Sequence, residues 1–184
     1  MSHTENDLLA RELNLQAQTA YGQSQFSRAA ELFEACRQAW LSIGNTVEAA
    51  EAQSNQSVAW LQAGDVTAAL QTCIGTDTVF AEAGDSRRQA FALGNQAMIL
   101  DAAGKLDEAE VCYQSCADLL KKIGDTENRS TTLRHLSALQ LKRGKQLDAM
   151  ATMDIALNGQ KKLSLRERLL KKLLKIPFRM LGSS

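Results

Sequence analysis

Two cysteines stand close enough in the sequence to bind the same metal ion. Cys112 and Cys116 lie one helical turn apart, which would let both thiolates reach one metal ion. The chain has two histidines, His3 and His135, and no cysteine or histidine completes the spacing of a four-ligand zinc site. Because Cys116 also occupies a position where small residues recur, we interpret the pair as structural and expect no metal site.

A short acidic run is the other candidate for chemistry. Asp107, Glu108 and Glu110 open a helical pattern, where carboxylates interact favourably with the positive end of the helix dipole. The glycines separate helical segments instead of forming a phosphate-binding loop after a strand, and no serine lies in a nucleophile elbow. The sequence therefore predicts a protein that is not an enzyme and uses no cofactor.

The composition indicates which elements must position these residues. Of the 184 residues, 45% are apolar but only 5% are aromatic, and the chain has one proline, which favours helix nearly throughout. A chain of this length buries a core as one folded unit without disulfides. We expect the four cysteines to be buried thiols: Cys36, Cys73, Cys112 and Cys116.

Glycines recur at a fixed period of 40 residues. One set is Gly64, Gly104 and Gly144, and a second set with the same spacing is Gly44, Gly84 and Gly124. In the first of four copies the turn position is Ser24. Each copy therefore predicts a helix, a turn and a second helix, and single hairpins of this kind must stack on one another to bury their apolar faces.

Small residues recur at three positions around each turn, where they would let neighbouring helices approach closely. Seven residues before the turn stand Ala17, Ser57, Ala97 and Ser137; five after it stand Ala29, Ala69, Ala109 and Ala149; twelve after it stand Cys36, Thr76, Cys116 and Ala156. Nine residues after the turn the side chains are larger: Phe33, Cys73, Tyr113 and Met153. The middle repeats predict helices over 51–63, 66–82, 89–103 and 106–123.

This pattern closely resembles the tetratricopeptide repeat. The 40-residue period exceeds the family's usual ~34 residues, so the repeats look like the longer subtype found in kinesin light chains and Pins-type adaptors. Phrases such as Ala92-Leu93-Gly94-Asn95 and Ile123-Gly124-Asp125 are similar to that subtype. The chain departs from it at Cys73 and Met153, where an aromatic residue is usual, at Gln146, and in having no proline that closes a repeat.

The resemblance implies an all-α fold, a right-handed superhelical solenoid of four helix-turn-helix repeats followed by a C-terminal amphipathic helix. The expected boundaries are a flexible start over 1–7, four repeats over 8–163, and a basic helix and tail over 164–184. The repeats themselves span about 8–45, 46–85, 86–125 and 126–163.

The resemblance also implies that the first helix of each repeat lines a concave groove for a peptide of another protein. Mapped onto this chain, the groove residues are Asn14, Gln18, Tyr21, Asn55, Val58, Leu61, Phe91, Asn95, Met98, Arg134 and His135. In the longer subtype, asparagines equivalent to Asn55 and Asn95 form a ladder that binds a peptide backbone, although Leu15 and His135 replace them in the outer repeats. Alternatively, these two amides satisfy neighbouring groups of the protein itself.

Charge is distributed unevenly. Eight Lys and Arg lie between Lys161 and Arg179 against one acid, Glu167, which gives +7; the other 13 basic and 20 acidic residues give −7. After Ser164, a predicted N-cap, leucines occupy one half of a helix and most charges the other, and Pro177 is expected to end it.

Two roles are open for this helix. It would cap the exposed apolar face of the last repeat, or it would lie on an anionic membrane or an acidic partner with Lys171, Lys172, Lys175 and Arg179 as contacts. Both uses require the same apolar face.

The leading interpretation is a cytoplasmic adaptor that binds a protein or peptide, and the alternative is a peripheral membrane scaffold. The acidic start, Met1 to Asp7, lacks the pattern of a secretory signal, and no run approaches the ~18 apolar residues of a membrane span. Basic and aromatic residues do not interleave as nucleic-acid binding requires. Solenoid ends could also pair into a homo-oligomer.

Overall fold

The computed structural model describes residues 3–160 and 163–181, with residues 175–181 described by their backbone alone. It divides into two compact units, Met1–Lys105 and Leu106–Ser184. Over the described residues every regular element is an α-helix. The first unit contains α1 (His3–Gly22), α2 (Phe26–Ser42), α3 (Thr46–Gln62), α4 (Val66–Cys73), α5 (Thr76–Glu82) and α6 (Ser86–Ala102). The second contains α7 (Leu106–Lys122), α8 (Thr126–Lys142), α9 (Gln146–Asn158) and α10 (Leu165–Leu181).

The repeated glycines end helices in the left-handed conformation. Their φ angles lie between 71° and 86°, and Ser24, in the equivalent position of the first repeat, has φ 60° without being glycine. At Gly64 the backbone N–H donates to Leu61 O (3.1 Å), and the next N–H, of Asp65, donates to Trp60 O (3.0 Å). These two bonds satisfy carbonyls that the end of α3 would otherwise leave without partners.

The residue after several of these glycines caps the next helix. The carboxylate of Asp65 accepts the N–H of Ala68 (2.9 Å), and Asp85 accepts that of Arg88 at the same distance. Asn45 and Asp125 cap α3 and α8 in the same way. The sequence Gly-Asp or Gly-Asn therefore ends one helix and starts another within two residues.

The small residues lie where adjacent helices meet. All the side chains at the three predicted small positions, from Ala17 to Ala156, are at most 3% exposed. In the first unit α2 packs on α1 and α3, and in the second unit α8 packs on α7 and α9. The periodic small residues therefore set how closely the hairpins approach, as the sequence predicts.

The second helix of the second repeat differs from the prediction, because it is broken. The continuous helix predicted over 66–82 is wrong: α4 ends at Cys73, Ile74 is extended, and Gly75 adopts φ 80° before α5 begins. The Gln53 amide donates to Thr72 O (2.8 Å) and Ile74 O (3.1 Å), so a side chain from α3 binds the carbonyls that the break exposes. Glycine alone adopts this backbone conformation at little cost, which explains where the break falls.

The two ends of the chain also differ from the sequence prediction. Helix α1 begins at His3, before the expected start at Leu8, and the Asn6 amide donates to Ser42 Oγ (3.0 Å) on α2. At the other end Pro177 does not stop the helix, since α10 continues to Leu181. A proline removes one backbone hydrogen bond, but its own φ is helical, so the residues after it can resume the helix.

Candidate functional site

A cavity of about 310 Å³ opens on the first helices of the first unit. Five predicted groove residues surround it, contributed by α1, α3 and α6: Gln18, Tyr21, Asn55, Val58 and Asn95. Phe33 of α2 is buried at its base, with 3% of the side chain exposed. Because one repeat is 40 residues long, residues distant in sequence meet here by occupying equivalent positions on successive helices.

The part of the wall formed by Tyr21 of α1 and Phe33 of α2 is aromatic and packs on the core. Phe33 belongs to a core cluster with Ala17, Ala29 and Ala59, against which the Tyr21 ring packs. That ring also meets the Phe26 ring edge-on, with centroids 5.2 Å apart. Aromatic pairs of this geometry hold a side chain in one orientation, so Tyr21 offers a fixed apolar surface to the cavity.

The two asparagines that line the cavity differ in how they are held. The Asn95 amide donates to Ser54 Oγ at 3.1 Å, which joins α6 to α3. Over the described residues, the Asn55 amide has no hydrogen-bond partner within the protein, although it is only half-exposed. An amide carries both donors and an acceptor, so Asn55 retains its full capacity to bind a group that enters from outside.

A second cavity of about 290 Å³ lies between α1, α2 and α3, and it holds the predicted groove residue Asn14. Its other lining includes Trp40, Glu48 and Glu51, with the Arg11 guanidinium 5.6 Å from the Trp40 ring centre. Sequence reasoning missed Trp40 and Glu48 as lining residues. One available signal was the pair Glu48 and Arg88, opposite charges separated by one repeat.

Arg88 of α6 binds both carboxylates of this second cavity. Its Nη1 lies 2.9 Å from Glu48 Oε1, and its Nε lies 3.0 Å from Glu51 Oε2. Burial raises the pKa of the Glu51 carboxyl, and the Arg88 charge opposes that rise. The cavity is therefore acidic but already neutralised in part by the protein itself.

Three further predicted groove residues of the first unit lie outside the lining of both cavities. Leu61 packs on the core cluster of Ala69, Cys73 and Ile99. Phe91 is 40% exposed and lies under the Arg87 guanidinium at 5.6 Å, while Met98 is half-buried. Of these three apolar residues, Leu61 therefore supports the core, whereas Phe91 lies on the exposed surface.

The predicted groove residues of the second unit have partners within that unit. Arg134 forms an ion pair with Glu167 of α10. The His135 ring stacks on the Tyr113 ring, with centroids 6.0 Å apart and an angle of 8° between the planes. The sequence indicated on which helix these residues lie, but not these partners.

Helix α10 packs on α9, and its start is fixed by reciprocal hydrogen bonds. The Glu167 N–H donates to Ser164 Oγ (3.3 Å), and the Ser164 N–H donates to Glu167 Oε2 (2.7 Å), which confirms Ser164 as the N-cap. Lys172 is exposed and Lys171 half-buried. The side chains of Lys175 and Arg179, the other two predicted contacts, lie outside the described part of the structure.

The thiols are placed to fill space between helices. Cys36, Cys73 and Cys116 are buried, and Cys112 is half-buried. Burial raises the pKa of the Cys36 thiol to about 11, so the thiol stays protonated, and its Sγ lies 3.3 Å from Ala10 O.

Over residues 3–160 and 163–174, no three His, Cys, Asp or Glu side chains converge as metal ligands. No helix within the described ranges has the length and hydropathy to cross a bilayer.

The helical hairpins, their 40-residue period and the glycine turns define a tetratricopeptide-type repeat fold, and known structures agree. A single-residue variant of a Podosopora anserina protein, provisionally assigned as a kinesin light chain with nearly identical TPR-like repeats, matches with a TM-score of 0.69 at 16% identity, covering 100% of both chains. Another structure from that organism, with the same description, gives a TM-score of 0.67 at 15% identity, covering 95% of this chain and 97% of the other. No family model matches the sequence, and neither does any curated protein.

Proposed function

We propose that this chain is a non-catalytic adaptor that binds a segment of a partner protein in the cavity formed by Gln18, Tyr21, Phe33, Asn55, Val58 and Asn95. Solenoids of stacked repeats bind partners on their extended concave surface, and the resemblance to the tetratricopeptide repeat implies that the first helices line that surface. The observation that carries the proposal is the Asn55 amide, which has no hydrogen-bond partner among the described residues and lies beside Val58 and the Tyr21 ring on the wall of the cavity. A polar group left in such a place is suited to fix the orientation of a ligand.

The cavity favours an extended segment with one apolar side chain. Phe33, Val58 and the Tyr21 ring would contact that side chain, while the Asn55 amide would bind the N–H and C=O of the adjacent peptide unit. The volume of about 310 Å³ accommodates one such side chain with its neighbouring backbone, which is smaller than a whole amphipathic helix requires. Flanking positions of the segment would then determine specificity.

The proposal is tested by selecting peptides from a display library with the full chain and measuring their affinity for variants. Val58→Lys places a charge in the cavity and is expected to weaken binding by roughly tenfold or more, because a lysine there loses water without gaining a partner. Asn55→Ala is expected to weaken it about fivefold through loss of backbone hydrogen bonds.

Val111→Lys is the matched control. Val111 lies on α7 in the second unit, is 66% exposed and lines a cavity of that unit and none in the first unit, so the same substitution there should leave peptide affinity unchanged. Circular dichroism establishes that both variants fold. Selected peptides that bind Val58→Lys as tightly as the unaltered chain would place their site elsewhere.

A second candidate function is a peripheral membrane scaffold, in which α10 contacts lipid. One observation favours it: four leucines of α10, Leu165, Leu169, Leu170 and Leu173, remain on the surface although the helix is packed on α9. Exposed leucines beside basic residues are the pattern of a helix that lies in the membrane interface.

A further inference from the structure

Helix α10 keeps a row of leucines on its outer side. Leu165, Leu169 and Leu173 are 83%, 59% and 51% exposed. A spacing of four residues places them along one stripe of the helix. Single exposed leucines need no explanation, but three in a row form an apolar surface that water solvates poorly.

The side of α10 that packs on the protein is a different one. Leu174 is only 7% exposed, and Glu167 is held by the ion pair with Arg134 and by the cap with Ser164. At about 100° per residue, Glu167 and Leu174 lie roughly 20° apart around the helix axis. Both lie on the side of the helix opposite Leu165. The leucines of α10 whose side chains are described occupy one half of the helix, but only Leu174 at one edge of that half is buried, so the docked helix leaves Leu165, Leu169 and Leu173 uncovered.

The charges beside the exposed leucines all have one sign. Arg166, Arg168 and Lys172 are exposed, and Lys171 is half-buried. Glu167 is the only acidic residue in the sequence of α10, and it is engaged by Arg134. The outer face of the described helix thus combines a leucine stripe with unopposed positive charge.

We propose that this outer face binds an anionic lipid surface while α10 remains docked on the second unit, so that membrane binding needs no release of the helix. The proposal rests on the second candidate function and specifies its chemistry: the leucines enter the interface and the basic side chains meet phosphate or carboxylate headgroups. A second copy of the chain is a poorer occupant, because a symmetric pairing would bring the same basic side chains together.

Co-sedimentation of the full chain with phosphatidylcholine vesicles, with and without phosphatidylserine, tests the lipid chemistry. Binding is expected only to the vesicles that contain phosphatidylserine and should fall as salt is raised. The variant Leu169→Ser/Leu173→Ser should bind roughly tenfold more weakly, and Arg168→Glu/Lys172→Glu roughly tenfold or more.

Two control variants carry matched changes elsewhere. Leu147→Ser/Ile155→Ser removes two exposed apolar side chains of α9, which are 55% and 46% exposed, and Lys121→Glu/Lys122→Glu makes the same charge change at the end of α7. Both should bind vesicles as the unaltered chain does. Equal losses in the controls and the α10 variants would overturn the assignment of this face.

A further variant, Arg134→Met, tests whether α10 stays docked. It removes the ion pair with Glu167 and leaves the residues of α10 unchanged. If docked α10 binds lipid, Arg134→Met should change the vesicle affinity by less than about twofold. A clear rise in affinity means that release limits binding, which overturns this proposal but leaves the membrane function standing. No binding of the unaltered chain to phosphatidylserine vesicles removes both.

Discussion

Equivalent positions of the repeat have different surroundings in the two units. In the first unit, Asn55 opens into a cavity and Asn95 is held there by Ser54. In the second unit, the position equivalent to both asparagines is His135, whose ring stacks on Tyr113. The neighbouring Arg134 is paired with Glu167. The repeat thus determines where a side chain lies, whereas the neighbouring residues determine whether it is available to a ligand.

The equivalent helices α3 and α8 also differ in the residues that they bury. Leu136 of α8 is 1% exposed, and the equivalent residue of α3 is Gln56, which is 8% exposed. The buried apolar residues of α3 are alanines, while those of α8 are leucines. Helix α3 is therefore suited to close approach of its neighbours, and α8 to burial of larger apolar side chains.

The largest expected effect is a loss of stability when a buried leucine of α8 is shortened. Leu136→Ala should lower the free energy of unfolding by about 3 kcal/mol, because it removes a fully buried leucine and leaves a cavity. Leu141→Ala, on the same helix but 54% exposed, should cost about 0.5 kcal/mol or less. Urea unfolding followed by circular dichroism measures both. Similar costs for the two variants would mean that the second unit does not depend on its leucine core.

The turns provide the next test, with a reciprocal pair of substitutions in the first unit. Gly64→Ser should lower the free energy of unfolding by about 1 kcal/mol, since a side chain is strained at φ 86°. Ser24→Gly should raise it by about 0.5 kcal/mol, because relief of the same strain is partly offset by the greater freedom of glycine in the unfolded chain. Thermal melting of both variants checks the signs, and a loss in both would show that Ser24 has a role beyond the turn.

Replacing each of the two asparagines of the cavity by alanine should change the free energy of unfolding by different amounts. Asn95→Ala removes the bond to Ser54 and is expected to cost about 1 kcal/mol. Asn55→Ala breaks no bond among the described residues and should change stability by less than about 0.5 kcal/mol. Chemical unfolding of the two variants compares them directly. An equal cost would show that Asn55 supports the fold and is not reserved for a ligand.

The smallest expected effect is a pH dependence confined to α10. The Arg134 hydrogen bond, with the Ser164 cap, lowers the pKa of Glu167 from 4.5 to about 2. The pKa is lower in the folded state, so this carboxylate stabilises docking fully above pH 4.5 and loses that contribution as the pH falls toward 2. The Leu174 methyl resonances in an NMR titration report docking. Glu167→Gln should remove this dependence, and an unchanged titration in that variant would assign it to another group.

The predictable part of this protein is the part that local geometry determines. The left-handed turns and the buried small residues follow from a repeated pattern. The family resemblance implied that Gln18, Tyr21, Asn55, Val58 and Asn95 share one surface, and the structure places them around one cavity. The break before α5 was not predicted, because a glycine inside a helical pattern is compatible with either outcome.

Other features depend on which side chains meet across helices. The partners of Arg134 and His135, and the burial of Leu174 while Leu169 stays exposed, follow from packing that one sequence does not specify. The extension of α10 past Pro177 likewise opposes a local rule that is a tendency and not a prohibition.

The break at Gly75 has a consequence for amide hydrogen exchange. Helices α4 and α5 have 8 and 7 residues, so each is too short to persist without packing. Because Ile74 is extended, the helical hydrogen-bond pattern of the described backbone stops between them. The amide protons of Thr76, Asp77 and Thr78 stand in the first turn of α5, where a helix supplies no acceptor. Deuterium should therefore enter this segment by local opening, ahead of the uninterrupted helices α2 and α3.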